Sequence, residues 1–136
     1  MKDGVHRIFR EHVHTVEYQT GLTLPPLVKM YVAELLAYYI DKPDRISPEL
    51  SYTLRVNEIR DTRTAKEIGD EILWVTGVLG SPKKRYGVTR EYIEFLGASA
   101  YRRTHSDVLH LIADGFPIVS SFVSKATRDC PPDLDI

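Results

Sequence analysis

The chain has 136 residues, 18 basic and 19 acidic, for a formal net charge of −1. That balance lacks the basic excess of a dedicated nucleic-acid binder or of a protein held to an anionic membrane surface, so nucleic acid and membrane are not expected partners. The length fits one domain with a core large enough to fold without metal or disulfide, and the single cysteine, Cys130, excludes an internal disulfide and a cysteine-based zinc site.

Residues 4–20 place Val5, Ile8, Phe9, His12, Val13 and Val16 at helical spacing, with Gly21 as a natural stop. After the stiff connection Leu22–Pro26, a broader apolar stripe follows: Val28, Tyr31, Val32, Leu35, Leu36 and Tyr39. This helix should lie centrally and end at Asp41–Asp44. Ser47-Pro48-Glu49 has the pattern of a helix start, a cap followed by proline and an acid. Leu50, Tyr52, Leu54 and Val56 then alternate as a strand would, so residues 48–60 read as helix or as extended chain. Helix is preferred, because a lone short strand has nothing to pair with.

The stretch Asp61–Gly80 organises the rest. Ala65, Ile68, Ile72, Val75 and Leu79 fall at steps of three and four, the seam of a helix packed among other helices. Asp61 or Thr64 can cap its start, and Gly80-Ser81-Pro82 ends it. Gly69 and Gly77 lie inside it, each costing about 1 kcal/mol against alanine. Close approach of a neighbouring helix would offset that cost.

The basic loop Lys83-Lys84-Arg85-Tyr86-Gly87 leads to Thr89, which caps a helix with Tyr92, Ile93, Leu96, Ala100 and Tyr101 on its buried side. Gly97 to Ala100 is a small-residue patch that admits another backbone. The helix breaks near Thr104–Asp107. Val108, Leu109, Leu111 and Ile112 follow, with Gly115 as a stop. Pro117 opens a last helix through Ile118, Val119, Phe122 and Val123. Residues 129–136, bearing two prolines and several acids, read as a flexible tail. The expected fold is all-α, a bundle of about six helices in a single domain spanning 1–128.

Candidate chemistry is sparse. Glu67 and Asp70, three residues apart, share a helix face and could present two carboxylates to a divalent cation. The alternative leaves Glu67 and Glu71 solvated and bonds Asp70 to a nearby arginine or tyrosine hydroxyl. Among the five histidines, His12 and His14 do not share a face, and His105 and His110 are not one turn apart. Tyr31, Tyr38, Tyr39, Tyr92 and Tyr101 could line a pocket for a planar ligand, or form an aromatic core whose hydroxyls reach polar partners. No phosphate-binding glycine loop or nucleophile motif is present.

Two resemblances carry further expectations. Glu67-Ile68-Gly69-Asp70-Glu71-Ile72-Leu73 resembles the second acidic motif of the all-helical nucleotide pyrophosphohydrolases of the MazG type. Those enzymes complete a magnesium site with a Glu-x-x-Glu pair on an earlier helix, where this chain has only the isolated Glu34, Glu49 and Glu58. The order of segments, over roughly residues 5–125, is similar to a group of small uncharacterised bacterial all-helical proteins. Tyr31, Leu35 and Leu36 match its first helix, Ile68, Gly69, Asp70 and Gly77 its second, and Tyr92, Ile93, Gly97, Ala100 and Tyr101 its third. The group carries a second aromatic where this chain has Glu91. The resemblance implies a bacterial, cytoplasmic helical domain with no known activity. In it Gly69, Gly77 and Gly97 would be helix crossings, and Asp70 would bond Tyr92 or Tyr101.

The sequence thus points to a non-enzymatic protein-interaction or regulatory module, self-associating or bound to a protein partner, with no cofactor. The alternative is a small-molecule or metal-dependent nucleotide-binding or nucleotide-hydrolysing protein using Glu67 and Asp70.

Overall fold

The computed structural model describes residues 2–40, 52–78 and 89–128. Within them the chain forms seven helices and no strand: α1 (Lys2–Thr20), α2 (Pro26–Ile40), α3 (Tyr52–Asn57), α4 (Thr62–Val78), α5 (Arg90–Arg102), α6 (Asp107–Asp114) and α7 (Phe116–Arg128). The architecture is an all-α bundle. The expected ends at Asp41–Asp44 and Gly80, the start at Ser47–Glu49, the basic loop 83–87 and the tail 129–136 lie outside the described residues.

α4 is the axis. Every residue from Ile68 through Gly77 is buried, and α4 packs chiefly against α5 and α7, with α2 and α3 on its remaining sides. Three glycines set these approaches. A Cβ on Gly69 would run into the Tyr101 ring of α5. One on Gly77 would meet Val123 of α7. One on Gly97 would collide with Phe116 and with Ile72 Cγ2. The energetic penalty of helical glycine is thus offset by the burial that close approach allows.

Local signals set the helix ends. Gly21 adopts φ +74°, the left-handed conformation that closes α1, and its N–H donates to Glu17 O. Asp61 Oδ1 accepts from Thr64 N at 2.7 Å at the start of α4. Thr89 and Ser106 cap α5 and α6, accepting from Tyr92 N and Leu109 N. α1 and α2 pack side by side. Glu17 ties their connection, accepting from Leu24 N at 2.8 Å and from Lys29 Nζ at 3.2 Å. His12 Nε2–H donates to Ala126 O at 2.8 Å, fastening α1 to α7.

The helical reading of residues 52–57 holds: Tyr52 and Val56, one turn apart, are buried, and Leu54 points outward. Tyr92, expected on the buried side of its helix, is exposed instead, as are the apolar residues Tyr38, Leu111 and Ile118. Each borders a buried stripe, and the core is already filled by Tyr39, Ile93, Ile112 and Val119. No single described helix is long and apolar enough to cross a membrane. α6 and α7 pass such a test only as a pair, bent by 90°.

Candidate functional site

The polar centre of the molecule is Asp70. Its helix is buried on all sides here, and Gly69 before it lets the Tyr101 ring lie against the α4 backbone. Oδ1 accepts from Tyr101 Oη at 2.7 Å and from Tyr31 Oη, while Oδ2 accepts from Lys66 Nζ at 2.9 Å. The tyrosine rings meet edge to face, centroids 6.3 Å apart, and the Lys66 ammonium lies 5.6 Å from the Tyr31 ring centre. Burial and the Asp70 charge hold the Tyr31 and Tyr101 phenols well above the ordinary tyrosine value. Both hydroxyls therefore remain donors to the carboxylate. Of the two tyrosines considered for Asp70, Tyr101 makes the link. Tyr92 is turned outward and pairs with Thr53 Oγ1 at 2.8 Å.

The next residue on α4 forms a second centre. Glu71, expected to be solvated, is buried. Its Oε2 accepts from Tyr52 Oη at 2.6 Å and from Arg55 Nη1 at 2.5 Å. The reason is tertiary: α3 folds over this face of α4. Tyr39 lies between the two acids' influence. Burial, then the charges of Asp70 and Glu71, raise its phenol, and its ring stacks on Trp74 at 5.3 Å and 13°.

Glu67 does not join Asp70. Its side chain is 61% exposed and pairs with Arg63 one turn back, whereas the Asp70 side chain is 13% exposed and its oxygens are taken by tyrosine and lysine. This donor set does not fit a shared divalent cation. Among the described residues, no three His, Cys, Asp or Glu side chains converge on a metal position. Nor do the five tyrosines line one pocket. Tyr31, Tyr39 and Tyr101 pack into the core ring against ring, and Tyr38 and Tyr92 face outward.

A third polar chain escaped the sequence reading. Arg90 Nη2 donates to Ser120 Oγ at 2.9 Å, Ser120 Oγ to Thr76 Oγ1 at 2.9 Å, and Thr76 Oγ1 to Leu73 O at 3.1 Å. Glu94 is buried beside it, with Oε2 held only by Arg90 Nε at 3.5 Å. Its members sit on three helices, so no spacing along the chain announces them.

These centres tie helices together, and their groups are committed to one another. The surface has a different feature. α2 carries two charged residues among its fifteen, Lys29 and Glu34, and Leu27 is 58% and Met30 51% exposed, on the face that also carries Glu34 and Tyr38. No family model, curated protein or solved structure gives a significant match to the chain.

Proposed function

We propose that the protein is a non-enzymatic protein-interaction module whose contact surface is the outward face of α2. The observation that carries this reading is that face. Exposed apolar side chains grouped on one helix face, with a charged residue among them, mark a contact site on a folded chain. Leu27 and Met30 form such a patch without contributing to the buried core. The polar centres favour the same reading from the other direction, since Asp70 and Glu71 spend their oxygens on bonds between helices.

A photo-crosslinking residue in place of Met30, in cells expressing the chain, is expected to give a discrete protein adduct. The same residue in place of the solvated Glu67 should give none. A probe at position 30 that stays unreacted would end the reading. Thermal melting with magnesium and a panel of nucleotides is expected to show no shift. Stabilisation by metal and nucleotide together would move the function to a ligand site on α4.

A further inference from the structure

We draw no further inference here: the strongest candidate, the side-chain cluster of Arg90, Glu94, Ser120 and Thr76 where α4, α5 and α7 meet, holds one buried carboxylate oxygen without a hydrogen-bond partner, and nothing in the structure shows a ligand that would reach it.

Discussion

Gly97 is the position where α5 leaves least room. A side chain there meets Phe116 of α7 and Ile72 of α4 together, and both are fully buried. Gly97→Leu should destabilise the fold by about 1–3 kcal/mol or more through overpacking, read as a lower melting temperature. A melting curve unchanged by that substitution refutes the crossing. Asp70 is tested differently. Asp70→Asn keeps an oxygen for the two tyrosine hydroxyls but loses the Lys66 pair and the charge assistance. It should cost about 1–3 kcal/mol at neutral pH; equal stability would mean that the carboxylate contributes nothing as a link. Both positions could be found from sequence, because each breaks a local rule: glycine in a helix interior, and an acid on a helix otherwise buried. Glu71 breaks the same rule, yet its burial was missed. Helical spacing shows that two adjacent acids point in different directions; it does not show which direction another helix will cover.

At the scale of the element, α3 is the informative case. Among the described residues α3 spans six, too few for a helix to persist alone. α3 is held by the apolar contacts of Tyr52 and Val56, by Glu71 through Tyr52 and Arg55, and by Arg103, which donates to Val56 O. Its alternating sequence was ambiguous because helix and strand both bury two of four residues. The long-range acid settles the choice, since it needs Tyr52 and Arg55 on the same side of one turn. Glu71→Gln should therefore loosen α3 selectively. Hydrogen exchange in residues 52–57 should accelerate while that in α5 stays near wild type, and global stability should fall by about 2 kcal/mol. Equal acceleration in both helices would show that α3 opens only with the whole domain. The longer helices needed no such arbitration. α1, α2, α4 and α5 announce themselves by period and by end signals such as Gly21, Asp61 and Thr89. The outward turn of Tyr92 and Ile118 was not legible, because a stripe's edge residues are assigned only once the neighbours' volumes are known.

For the whole molecule, the consequence of folding around two buried acids is a dependence on alkaline pH. Tyr31 and Tyr39 of α2 and Tyr101 of α5 are all drawn into the field of Asp70, with Glu71 also acting on Tyr39. In each, burial is the largest cause and carboxylate charge the next, and all three phenols are raised. The unfolded chain releases these protons near the ordinary tyrosine value of about 10, while the folded chain keeps them. Above that pH the native state binds more protons than the unfolded state. The stabilisation is therefore complete below about pH 10 and is lost progressively as pH rises further, at up to about 1.4 kcal/mol per pH unit for each tyrosine. Urea midpoints measured from neutral to strongly alkaline pH should decline along that slope. Tyr39→Phe isolates one contribution, because it keeps the ring on Trp74 and deletes only the hydroxyl. Its stability at neutral pH should stay close to wild type, and its alkaline decline should be shallower by one tyrosine's share. Lysines also titrate in this range, but they are common to both proteins and cancel in the comparison. An unchanged slope would mean that the Tyr39 hydroxyl releases its proton in the folded state as readily as in water, and that the acids of α4 do not reach across the bundle.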